Sequence, residues 1–94
     1  MLYLQDANHL IVYPVLKTHM ENDLFFAYIG VQANYSMTGQ DLLAVCLEAW
    51  QADRSKDYRL LLIRENEEID IPLNQNIKEA GLRNGDPLQI VGAA

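Results

Sequence analysis

Only one stretch of this chain carries a helical repeat of apolar residues, and that limits the fold more than any other feature. From Gln40 to Asp53 (QDLLAVCLEAWQAD), Leu42, Val45, Cys46 and Ala49 fall within one arc, while Gln40, Ala44, Glu48 and Gln51 occupy the other side. Thr38, followed three residues later by Asp41, has the form of a capping box with a carboxylate at the positive end of the helix. The main helix is therefore expected within residues 38–53, about four turns long. Leu43, Leu47 and Trp50 widen the apolar arc beyond what one sheet face needs, so they either meet the N-terminal segment or serve a partner. One such helix cannot cover two sheets, and the simplest packing lays it across a single sheet.

The remaining apolar runs read as strands. Leu10 to Lys17 (LIVYPVLK) and Leu24 to Ala33 (LFFAYIGVQA) flank a polar break from Thr18 to Asp23, which predicts a hairpin over residues 10–33 behind an N-terminal extension, 1–9. In the second run Phe25, Ala27, Ile29, Val31 and Ala33 share one face and Leu24, Phe26 and Tyr28 the other. Gly30 marks a bulge or a close backbone approach. Pro14 lacks an N–H, so the first strand is expected to begin at Val15 or to bulge there. Residues 58–91 supply the rest. Tyr58 to Glu65 is apolar on both faces, with Leu60 and Leu62 opposite Leu61 and Ile63, and Ile69 to Ile71 is a short strand ended by Pro72. Ile77 to Leu82 reads as one helical turn stopped by Gly81, Asn84-Gly85-Asp86 as a turn needing positive φ, and Leu88 to Val91 as the last strand, with Leu88 and Ile90 facing inward.

Hairpin, helix, strand, short strand, helical turn and strand, in that order, make a β-grasp: one α+β domain over residues 1–94, with a mixed sheet of four to five strands and one helix across it. The segment from Asn76 to Val91 (NIKEAGLRNGDPLQIV) resembles the closing segment of ubiquitin-like domains. Within that superfamily, Leu47-Glu48-Ala49-Trp50-Gln51-Ala52 and the GLRNGDPLQIV ending are similar to YukD-like small proteins of type VII secretion loci. That resemblance implies a cytoplasmic bacterial accessory protein with a secretion component as its partner. Tyr13-Pro14-Val15, the acidic turn at Glu21 and Asp23, and Ser36-Met37 with Gln40 resemble instead the TmoB-like subunit of di-iron aromatic hydroxylases, which implies a structural role beside a larger iron-holding subunit.

Charge and side-chain chemistry narrow the function. A net charge of −6 opposes attraction to nucleic acid, and no run reaches the roughly 18 apolar residues that membrane insertion requires. Cys46 sits within the apolar arc as a core thiol; His9 and His19 lie in loops without metal-ligand spacing and are expected in solvent; Glu65, Glu67, Glu68 and Asp70 form a solvated turn without calcium-loop spacing. Gly81 and Gly85 lack the strand-to-helix context of a phosphate cradle. No catalytic, metal or cofactor site is expected, and no cofactor. A modifier or sulfur carrier needs a glycine on a free arm, whereas Gly92 follows the last strand directly. What remains is a binding surface for a protein, with a homodimer among the partners it allows. Its candidate residues are Leu61 and Ile63, or else their neighbours Leu60 and Leu62, with Val91 and the Leu24, Phe26 and Tyr28 side of the hairpin on the sheet face away from the helix, unless Met1 to Leu4 covers that face, or Leu43, Leu47 and Trp50 on the helix.

Overall fold

The structure is a computed structural model in which residues 8–16 and 29–92 are described. The expected hairpin turn, the residues Leu24, Phe26 and Tyr28, His19 and the segment Met1 to Leu4 all lie outside the described residues.

The first strand, β1 (His9–Leu16), runs through Pro14 without a late start, because β1 changes partner there. His9 to Val12 pair antiparallel with β2 (Val31–Asn34), ending at Val12 opposite Val31. Tyr13 to Leu16 pair parallel with β5 (Pro87–Gly92), with Pro14 opposite Leu88. The amides of Ile11 and Tyr13 point to the β5 side, donating to Asn84 Oδ1 at 2.8 Å and to the Asp86 carbonyl at 3.0 Å. Alternation turns the Pro14 nitrogen the other way, to a position just past the last β1–β2 pair, where no ladder bond is lost. Gly30 precedes β2 without the close backbone approach expected of it: a Cβ there would meet only the Ile11 and Tyr13 side chains, at 3.4 Å, an ordinary van der Waals contact.

β2 ends where the Asn34 side chain accepts from the Ser36 amide (2.8 Å) and hydroxyl (2.6 Å), a local turn that competes with strand continuation. The chain then enters α1 (Gly39–Ala49) through the expected capping box: the Asp41 amide donates to Thr38 Oγ1 at 3.1 Å and the Thr38 amide to Asp41 Oδ2 at 3.2 Å. The helix is 11 residues long and stops short of Asp53, since Trp50 caps it and Gln51 takes the left-handed φ of 51°. Its buried face is also rotated from the expected arc: Gly39, Leu42, Leu43, Cys46 and Leu47 are buried, Val45 is half-buried and Ala49 is exposed. The cause is the first turn, which presses on the chain before residue 77. The Gly39 amide donates to the Gln75 carbonyl and the Gln40 amide to that of Leu73, both at 2.9 Å, and a Cβ on Gly39 would stand only 2.3 Å from the Pro72 oxygen.

β3 (Tyr58–Arg64) and β4 (Glu67–Asp70) form a tight hairpin whose two loop residues, Glu65 and Asn66, both have positive φ, at 53° and 66°. That is the turn whose twist matches antiparallel strands. β4 starts earlier than expected, at Glu67, and Ile71 leaves it to enter the core. The sheet order is β2-β1-β5-β3-β4, with β3 antiparallel to both neighbours. Leu10, Val12, Val31, Leu60, Leu62, Leu88 and Ile90 line its inner face against α1, and Ile71, Ile77 and Leu82 close the core beyond the strands. Gly81 and Gly85 take φ of 87° and 90°, as expected of a stop and a turn. An ion pair from Arg64 to Asp86 (2.8 Å), whose carboxylate also accepts from the Arg83 amide (2.7 Å), ties that turn to β3. This is the ubiquitin-like β-grasp arrangement.

Gly39→Ala should destabilise the protein by about 1–3 kcal/mol in chemical denaturation, because the added methyl meets backbone. Helix propensity alone predicts the opposite sign, a gain of about 1 kcal/mol, so the measurement separates packing from propensity.

Candidate protein-interaction surfaces

With α1 across one face of the sheet, the odd-numbered residues of β1, β3 and β5 make up the other. Register aligns them in rows. Tyr13 lies beside Pro87; Val15 beside Gln89, then Leu61, then Asp70; and Val91 beside Arg59. Tyr13 is 38% exposed, Ile63 and Val91 are half-buried, and Leu61 and Val15 are buried at 3% and 5% without belonging to the helix-side core. Leu61 is thus withdrawn from the accessible part of this face, whereas Ile63 and Val91 flank it at the surface. The facing of Tyr13 depends on the path of β1 through Pro14, which sequence spacing does not define.

The helix candidates do not form a surface. Leu43 and Leu47 are buried, a consequence of the rotation that Gly39 allows. Trp50 is half-buried and its indole N–H donates to the Pro14 carbonyl at 2.8 Å. That carbonyl points, like the Pro14 nitrogen, to the side where β2 pairing has ended, so the tryptophan replaces a missing ladder donor.

Electrostatics on the outer face centre on Arg59 and Asp70, joined by two hydrogen bonds of 3.0 and 2.8 Å. The guanidinium bond holds the Asp70 carboxyl below the usual carboxylate range and raises Arg59 in return. Both side chains are exposed, so the pair orients β3 on β4 more than it stabilises the fold. The carboxylates at Glu65, Glu67, Glu68 and Asp70 are all exposed, as expected. His9 is half-buried where solvent was expected, because it begins β1 opposite Asn34. Among the described residues no group of three potential metal ligands converges, and no helix is long and apolar enough to cross a membrane. Cys46 is fully buried, and burial pushes its thiol up to about 12, far from the thiolate that a nucleophile needs. Gly92 lies within β5, paired with Tyr58.

No family model matches the sequence, and no curated protein matches it. Solved structures do match. The C-terminal ubiquitin-like domain of mouse tubulin-specific chaperone e is 18% identical, with 93% of this chain and 89% of that one covered at a TM-score of 0.70. The UBL domain of yeast Ddi1 is 22% identical, with 95% and 94% covered at a TM-score of 0.64. At such identities the likeness establishes the fold, and the chain has a ubiquitin-like β-grasp.

Trp50→Phe keeps the ring and removes the donor, so it should cost about 1–3 kcal/mol in denaturant unfolding through the orphaned Pro14 carbonyl. Cys46 should resist alkylation in the folded protein at pH 8 and react at the ordinary rate once denaturant is added. Its raised pKa also has a sign: the unfolded chain releases the thiol proton near pH 9 while the fold keeps it to about 12, so this group lowers stability as pH rises through that window.

Proposed function

We propose that this ubiquitin-like domain is a non-catalytic protein-interaction module, an accessory protein of a bacterial type VII secretion system that docks one of its components in the cytoplasm. The observation that carries the binding role is the outer sheet face, where Tyr13, Ile63 and Val91 reach the surface on strands whose opposite face is already filled by α1. Apolar groups placed together on a rigid sheet are costly to leave in water and cheap to cover with a partner. Fold alone does not name that partner. The secretion reading rests on the likeness of residues 47–52 and 81–91 to YukD-like proteins. Gly92 itself is held in the β5 ladder, opposite Tyr58.

Affinity capture from the native host with the full chain, as wild type and as Ile63→Asp, tests both halves of the proposal. The expected result is a type VII secretion component retained by the wild type and lost by Ile63→Asp, at least about thirtyfold in affinity, with the thermal midpoint little changed. Iron-containing oxygenase subunits among the captured proteins would replace the secretion reading with the hydroxylase one. Unfolding of Ile63→Asp would show that Ile63 serves the fold and not a partner.

A further inference from the structure

We infer that Asn84-Gly85 is a site of spontaneous covalent modification, deamidation through a cyclic imide, and that the fold restrains it by binding both reacting groups to the backbone of Ile11. It is the only Asn-Gly step in the chain. The chemistry needs nothing but water. The Gly85 amide nitrogen gives up its proton to solvent and attacks the side-chain carbonyl carbon of Asn84; the new N–C bond closes the imide as the bond to Nδ2 breaks, and that nitrogen leaves as ammonia, taking a proton from solvent. Water then opens the imide at one of its carbonyls. Opening on one side leaves an ordinary aspartate, and opening on the other leaves an isoaspartate, whose main chain runs through the former side chain and is one carbon longer. Glycine at 85 suits ring closure because no Cβ stands in the way.

Packing does not shield this step. Asn84 and Gly85 are both exposed, and a Cβ built on Gly85 would meet nothing within 4 Å. Hydrogen bonds restrain it instead. Asn84 Oδ1 accepts from the Ile11 amide at 2.8 Å, and the Gly85 amide donates to the Ile11 carbonyl at 2.7 Å. The first bond holds the electrophile, since only the oxygen end of the side-chain amide can accept. The second occupies the proton that must be lost before the nitrogen attacks. The turn is anchored on its far side as well: the Tyr13 amide donates to the Asp86 carbonyl at 3.0 Å, and the Asp86 carboxylate accepts from the Arg83 amide at 2.7 Å and from Arg64 at 2.8 Å. Ring closure therefore waits for a local opening that releases residues 84–86 from β1.

The two products differ in what the fold can do with them. An aspartate carboxylate accepts from the Ile11 amide as the asparagine oxygen does, so this product keeps the clamp. In isoaspartate the carbonyl that accepted from Ile11 has become part of the main chain. The added carbon also moves the Gly85 amide out of register with the Ile11 carbonyl, and the bonds that extend the β1 ladder are given up.

The test keeps the full chain in mildly alkaline buffer, folded and in guanidinium chloride. Asn84 is followed by peptide mapping with mass spectrometry that separates isoaspartate from aspartate, beside hydrogen exchange of the Gly85 amide. In denaturant, conversion at Asn84 is expected to lead that of every other asparagine and to give mainly isoaspartate. In the folded protein it should run at least about thirtyfold more slowly, a factor that matches the protection of the Gly85 amide. Asn84→Asp should melt close to the wild type, whereas the isolated isoaspartyl protein should melt at least about 4 °C lower or fail to refold. Equal rates in the two states, a folded-state rate unrelated to Gly85 protection, isoaspartyl protein as stable as the wild type, or Asn84→Asp as unstable as the isoaspartyl form would each overturn the proposal.

Discussion

A strand in the middle of this sheet contains a proline, and much of the architecture follows from how that is accommodated. β1 must pair on both edges, but Pro14 offers no donor on one of them. β2 is therefore only four residues long and stops opposite Val12. The side that Pro14 leaves unpaired receives the Trp50 indole from the end of α1, which bonds the helix C-terminus to the sheet. On the other edge, β5 begins too late to pair with the first half of β1, and the turn before it compensates: Asn84 accepts from Ile11 through its side chain, and Gly85 donates to the Ile11 carbonyl at 2.7 Å. A residue triplet that reads as a simple turn is thus also an extension of the central ladder.

The second constraint is the contact of α1 with the segment after β4. Gly39 lets backbone meet backbone, and the two hydrogen bonds there fix the helix in rotation as well as in position. That rotation sends Leu43 and Leu47 inward beside Leu42 and Cys46, and it leaves Val45 at the margin. Ile71, Ile77 and Leu82, none of them in a strand or the helix, complete the core. A small domain with one helix among its described residues needs such irregular segments to seal its ends.

Local chemistry was legible in the sequence; long-range geometry was not. The Thr38–Asp41 capping box, the positive φ of Gly81 and Gly85, the inward side of Leu88 and Ile90 and the alternation at Val31, Gln32 and Ala33 each depend on neighbouring residues only. The rotation of α1 depends on how near Pro72 comes to Gly39, across more than thirty residues of chain, and Leu42 and Leu43 fit two rotations equally well before that contact is known. The strand through Pro14 was equally opaque, since its feasibility rests on β2 stopping at one particular pair. The burial of Leu61 belongs to the same class: a run apolar on both faces shows that both sides are wanted covered, not which side chains remain accessible.

β4 carries a consequence of its own. It is the outermost strand beside β3, four residues long, wholly exposed, with carboxylates at Glu67, Glu68 and Asp70. Unsatisfied strand edges invite copies of a protein to stitch together into larger sheets, and this edge repels its own likeness: two such strands brought side by side would set acid against acid. A homodimer of this chain would therefore have to form elsewhere than along β4. The acidic run that resembles a site for chemistry is better understood as a fence against self-association.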